Sequence, residues 1–207
     1  MTTTFRPVTP GALIDLVAER AAAVGGVRLV AVSGADAADP VGFAGRIASR
    51  LQLSGRPAAV VSLHDYVRPA SLRLEHGHHD DYSFRTGWFD YPALQREVVT
   101  ALRERRRWLP RLWDESTDRS ARASTLDAGP GQVLLLAGPM LHGRGLGTDL
   151  VVRLVLSRSA LERRTPPDDL WTVDPLLAHD AAHDAAADIV VRYDHPDRPA
   201  VSDDALR

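Results

Sequence analysis

Eight consecutive residues, Gly34-Ala35-Asp36-Ala37-Ala38-Asp39-Pro40-Val41, stand where a short apolar run gives way to a helical pattern. A turn in that place grips phosphate when it reads G-x-x-x-x-G-K-S/T. The glycines let backbone N–H groups curl around an anion, the lysine neutralises it and the hydroxyl holds Mg²⁺. Here the first glycine is present, but Asp39, Pro40 and Val41 replace the second glycine, the lysine and the hydroxyl. Pro40 removes an N–H as well as the cation. Asp36 and Asp39 put negative charge where an anion would sit, which costs on the order of several kcal/mol at intermediate dielectric. Taken alone, the eight residues read as a strand-to-helix turn with Asp39 as N-cap and Pro40 at the first helical position.

Other clusters have the composition of chemistry. His76-Gly77-His78-His79-Asp80-Asp81 could hold a transition metal, although flexible loops of this composition are common. His179 and His183 lie four apart on a helical pattern, but Asp180 stands where the H-E-x-x-H zinc motif has Glu, and no third ligand follows. No metal is assigned to either. Arg103-Glu104-Arg105-Arg106-Arg107, with Trp108, Arg111 and Trp113 nearby, could grip nucleic acid; arginines at a helix C-terminus also suit the macrodipole with no ligand at all. Gly143, Gly145 and Gly147 lack the strand-then-helix setting of a dinucleotide fingerprint.

The elements that must carry these residues are of one kind. The chain has 207 residues, 44% hydrophobic and 25% charged, enough for one α/β domain over 1–207. Helices are expected over 10–24, 39–53, 92–107, 160–164 and 174–187, and buried strands over 27–34, 57–65, 132–138, 149–157 and 187–193. Residues 66–89 give no clear element, and the tail from Asp194 to Arg207 reads as loose, leaving a core of about 10–193. Apolar strands alternating with helices imply a doubly wound parallel sheet, with ligands at the carboxyl ends of its strands. The net charge of −2 argues against nucleic acid, and no apolar run is long enough to span a membrane. The start, MTTTFRPVTPG, does not read as a signal peptide, so a cytoplasmic location is expected. All 25 basic residues are Arg and there is no Cys, so neither a lysine ammonium nor a thiolate is available.

An ordered set of segments resembles the uridine kinase and phosphoribulokinase-like family of P-loop kinases. VRLVAVSGADAADPVGFAGRIASRL fits, without gaps, the frame of that family's first strand, phosphate loop and helix. Ser62-Leu63-His64-Asp65-Tyr66-Val67-Arg68-Pro69 is similar to its S-L-D-D-F-Y-R-P. The run from Leu72-Arg73 through Gly77 and Tyr82 to Phe89-Asp90-Tyr91-Pro92-Ala93-Leu94 follows the same family order. Trp113 to Asp118, Val133 to Leu141, and Ala187 to Pro199 continue it. The resemblance implies P-loop NTPase architecture of the nucleoside-kinase type. It makes residues 34–41 a former phosphate loop and Arg73, Tyr82, Asp90, Trp113 and Asp114 an acceptor pocket. It also puts Arg163 and Arg164 in a lid.

The departures fall on the chemistry that the resemblance implies. His64 stands where the family has its catalytic carboxylate, and Ala137 where a carboxylate would assist Mg²⁺. With Pro40 and Val41 these make four losses. Asp65 stays beside His64, but adjacent strand residues point to opposite faces. The expected function is therefore that of a pseudokinase binding a nucleoside-like small molecule or a protein partner. One alternative is an active kinase using His64 or Asp65 as base and Arg163 or Arg164 for charge; only that reading needs ATP and Mg²⁺. Another is a homo-oligomerising module that uses the arginine–tryptophan surface.

Overall fold

The computed structural model describes residues 4–202 and 205. Seven strands form the main sheet: β1 (Phe5–Pro7), β2 (Arg28–Ser33), β3 (Ala58–Ser62), β4 (Val133–Gly138), β5 (Leu150–Val155), β6 (Ile189–Arg192) and β7 (Ala200–Ser202). Their spatial order is β1-β7-β6-β5-β2-β4-β3. The five from β3 to β6 are parallel, as apolar strands joined by helical crossovers require. β2 lies in the middle, with Val30 opposite Leu135 of β4 and Leu150 of β5.

Side chains alternate across β2. Val30 and Val32 pack on one face against α1 (Pro10–Ala22) and α2 (Pro40–Leu53), whereas Leu29 and Ala31 enter the core of the other face. Phe43, Ile47 and Leu51 of α2 are fully buried, as their spacing predicts. The second face is covered by α3, a continuous helix made of Tyr91–Leu94, a wider π stretch over Gln95–Thr100, and Ala101–Arg105. Two shorter elements complete the layers, α4 (Arg158–Arg164) and α5 (Val173–Ala182). Among the described residues, no helix is long and apolar enough to cross a membrane.

Three expectations need correction. The tail after Asp194 is not loose over its described length. β7 pairs antiparallel with both β6 and β1, and Val201 is fully buried. The strand is too short to show a period, and β1 at the other end of the chain supplies its outer partner. Residues 203, 204, 206 and 207 lie outside the described residues. The stretch 66–89 holds two short helices, Ala70–Arg73 and Asp81–Thr86, and an isolated bridge between Val67 and Phe89. Finally, α5 stops at Ala182 instead of 187, and His179 on it is buried.

Candidate functional site

The turn after β2 begins where backbones press together. A Cβ on Gly34 would lie 2.9 Å from the Cβ of Leu154, and its N–H donates to the carbonyl of Gly138. The chain then makes a 3-10 turn over Asp36–Ala38. The N–H groups of Ala38 and Asp39 point back to the carbonyls of Ala35 and Asp36, at 2.8 and 2.9 Å, so the turn itself satisfies them. Asp39 adopts a left-handed backbone (φ 52°, ψ 56°), accepts from the Gly42 N–H at 2.9 Å, and lies 3.7 Å from Arg46. It is the helix cap that the residue pattern predicts.

Asp36 turns to His64, which sits in the 3-10 turn Leu63–Tyr66 just beyond β3. The His64 Nε2 is 3.0 and 3.1 Å from the two Asp36 oxygens, and its Nδ1 is 2.9 Å from Glu115 Oε2. Glu115 Oε1 also accepts from Arg73, at 3.2 Å. Burial works against a charge on His64, but the hydrogen bonds and negative charges of Asp36 and Glu115 outweigh it. They push its pKa up to about 10. With both ring nitrogens engaged, His64 is an electrostatic strut between the turn after β2 and the turn that carries Glu115. Asp65 faces another way. Its carboxylate accepts from Arg111 at 2.6 Å, and burial raises its pKa despite that partner.

Beside this strut lies a cavity of about 230 Å³ at the carboxyl ends of the strands. The loop residues Ala35, Asp36 and Ala37 form one wall and His64 and Glu115 another. The segment from Thr165 to Thr172 closes over it, carrying Asp169 and Trp171. Phe84 and Trp88 line its floor. Their rings and that of Trp171 meet in a triangle with centroids 5.2 to 5.7 Å apart.

The residues expected to form an acceptor pocket do not line one cavity. Arg73 reaches the cavity only through Glu115 and lies with its guanidinium 5.2 Å from the Trp88 ring centre. Asp90 caps α3 through the Ala93 N–H. Trp113 donates to Asp118. Asp114 holds its own turn together, its carboxyl kept below the usual range by the Ser116 hydroxyl and the Thr117 N–H. Tyr82 is exposed and lines a separate depression with Arg68 and Glu75. The expected lid arginines are bonded to backbone. Arg163 donates to the carbonyl of Ser159, and Arg164 to those of Tyr193 and Asp194. Arg164 also lines an opening of about 450 Å³ with the loop residues Ala37, Ala38 and Asp39 and with Arg46.

The residue pattern did not single out Glu115, Asp169, Phe84, Trp88 or Trp171. They come from three separate stretches, 84–88, 115 and 169–171, and no spacing rule joins them. Glu115 lies in the family-like run from Trp113 to Asp118, where the resemblance points only to Trp113 and Asp114.

A second polar cluster lies behind the loop. Ser33, the last residue of β2, accepts from the N–H groups of Leu141 and His142 and donates to His142 Nδ1 at 2.7 Å. His142 Nε2 lies 3.4 Å from Asp180, which also faces Arg153. The order Ser–His–Asp is that of a nucleophilic triad. Ser33 and His142 are fully buried, however, so no substrate reaches the hydroxyl. His179 Nε2 donates to the His142 carbonyl and His183 Nδ1 to the His179 carbonyl. The histidine pair that resembled a zinc motif is thus spent on backbone. Among the described residues no set of His, Cys, Asp and Glu is arranged to hold a metal ion, the loop of His76 to Asp81 included.

No family model matches the chain, and no curated protein matches it either. Solved structures do. A possible uridine kinase from Bacillus stearothermophilus superposes with a TM-score of 0.69 at 16% identity, over 87% of this chain and 97% of the other. A protein assigned as a fructose transport system kinase, from Silicibacter sp. TM1040, gives 0.65 at 23% identity, over 87% and 96%. D-glycerate 3-kinase from Cryptococcus neoformans gives 0.53 at 16%, over 86% and 80%. The chain has the fold of the uridine kinase-like P-loop kinases. Residues 34–41 form the turn between β2, the central parallel strand of that fold, and α2. The residues there do not fit a nucleoside triphosphate with Mg²⁺. Pro40 has no N–H, Val41 no hydroxyl, two loop N–H groups are turned inward, and the Asp36 carboxylate borders the space.

Proposed function

We propose that this protein keeps the P-loop kinase fold but does not transfer phosphate from ATP, and works instead by binding a small molecule in the cavity beside His64. The observation that carries this reading is the contact between Asp36 and His64. A carboxylate from the former phosphate loop takes the place that a phosphate would need, and a histidine held as imidazolium locks it there. Each partner stands where phosphoryl transfer requires the opposite, a neutral or cationic loop and a carboxylate base.

The active-kinase reading finds its residues dispersed. Asp65 is paired with Arg111, His64 holds its proton, and Arg163 and Arg164 donate to backbone carbonyls. The test is an ADP-release assay on pure protein with Mg–ATP and a panel of nucleosides, sugars and short alcohols. No turnover above the protein-free rate is expected. ATP-dependent phosphorylation of any acceptor, abolished by Asp36→Lys but not by a distant surface change, would overturn the proposal.

A further inference from the structure

The lining of the cavity defines a class of ligand, and the inference rests on the ligand-binding reading above. Three acidic residues line the space, Asp36, Glu115 and Asp169. The cation in the lining is His64, and both of its ring nitrogens already point at Asp36 and Glu115. Even with His64 charged, the lining carries a net charge of −2. Arg73, on the outer side of Glu115, brings that no further than −1. Among the described residues no arginine lines the cavity, and the chain contains no lysine.

The apolar walls agree with the charge. Phe84, Trp88 and Trp171 line the space with rings inclined to one another, His79 stacking on Trp171, and the faces of such rings attract cations. One of them already does so, since the Arg73 guanidinium lies over Trp88. Asp169 and Trp171 belong to the same segment closing the cavity. A positive head inserted there meets a carboxylate and an aromatic face together. Asp169 has no cationic partner among the described ion pairs. The volume of about 230 Å³ lies below the roughly 300–1,000 Å³ of sites for drug-sized ligands, so it suits a short chain and not a nucleotide.

We infer that this cavity binds a small organic cation, an amine or guanidinium on a short apolar stem, in the fold position where a kinase handles phosphate. The head lies between Asp169 and the Asp36–Glu115 pair, and the stem lies against Trp171 and Trp88.

The test is a calorimetric titration of the full chain with agmatine, which carries an amine and a guanidinium on four carbons. Butyrate and inorganic phosphate are the anionic controls. Saturable one-to-one binding of agmatine is expected, weakened by salt, with neither anion competing. Asp169→Asn, at an exposed position, weakens it about three- to tenfold. Trp171→Phe keeps a ring in the wall and weakens it less, and the indole N–H resonances of Trp88 and Trp171 shift on agmatine addition. The inference is overturned if agmatine shows no saturable binding at millimolar concentration, if phosphate displaces it, or if Asp169→Asn and Trp171→Phe both bind like wild type. The ADP-release assay keeps the two readings apart. Turnover of ATP sinks the proposed function whatever agmatine does, and absent agmatine binding in a protein without turnover sinks only the choice of cation.

Discussion

Two histidines flank the carboxyl end of β2, and the fold holds them in opposite states. His64 follows β3 and sits between Asp36 and Glu115, which push its pKa up to about 10. His142 follows β4, is fully buried, and is pushed down to about 3 by burial and then by His179 and Arg153. Both have a carboxylate near Nε2, at 3.0 Å for His64 and 3.4 Å for His142. The difference is what else the carboxylate touches and how much water remains. Asp180 is shared with Arg153, and Ser33 donates to His142 Nδ1, which fixes the neutral ring. Asp36 turns its charge on His64 in a half-exposed turn. Proximity of an acid therefore does not set a histidine's charge unless the acid is free to spend its own.

The largest expected effect comes from removing the oxygen under His142. Ser33→Ala leaves two N–H groups and a ring nitrogen buried without a partner, so it should cost about 2–3 kcal/mol in urea unfolding. A loss under about 0.5 kcal/mol would break the claim that this cluster is structural.

Next in size are the opposed pH dependences. His64 has a folded pKa above its unfolded value of about 6.5. Its contribution is complete below pH 6.5 and is lost as pH rises through about 10. His64→Gln should thus cost on the order of 1–2 kcal/mol near pH 6, allowing for solvent screening of a ring about a third exposed. The gap from wild type should close toward pH 10. His142 and His179 have folded values of about 3 and about 4, both lowered first by burial. Their stabilisation is present above pH 6.5 and is lost as pH falls through those values. Imidazole resonances read the same contrast: His64 should stay charged at pH 8, while His142 and His179 stay neutral at pH 5.5. Three rings titrating together near pH 6.5 would erase the comparison.

The smallest effect separates the two jobs of Asp39. Asp39→Ala loses the cap and keeps the left-handed strain of a side chain, a cost of about 1 kcal/mol. Asp39→Gly loses the cap but relieves the backbone, and should cost about half a kcal/mol or less by thermal melting. Equal losses would mean that the cap alone matters.

The same contrast marks what the residues reveal in advance. Phe43, Ile47 and Leu51 repeat with the helical period, and Val30 and Val32 alternate, so α2 and β2 were legible from local pattern. β7 was not, because its three residues take their place from β6 and from β1 at the opposite end of the chain. In the site, Asp39 and Pro40 announce a helix start, but nothing in the order of residues says that Asp36 reaches His64, 28 positions away. Nor does it say that Glu115 completes the pair or that Trp171 closes over Phe84. Those contacts are made by loops converging at the strand ends, where spacing carries no period.

The central claim is that the former phosphate loop is closed by its own carboxylate. Calorimetric titration of the full chain with Mg–ATP at neutral pH tests it most directly. The account predicts no saturable heat up to millimolar nucleotide. Stoichiometric binding in the micromolar range, lost when Gly34 or Ala37 is replaced by a bulky residue, would contradict it.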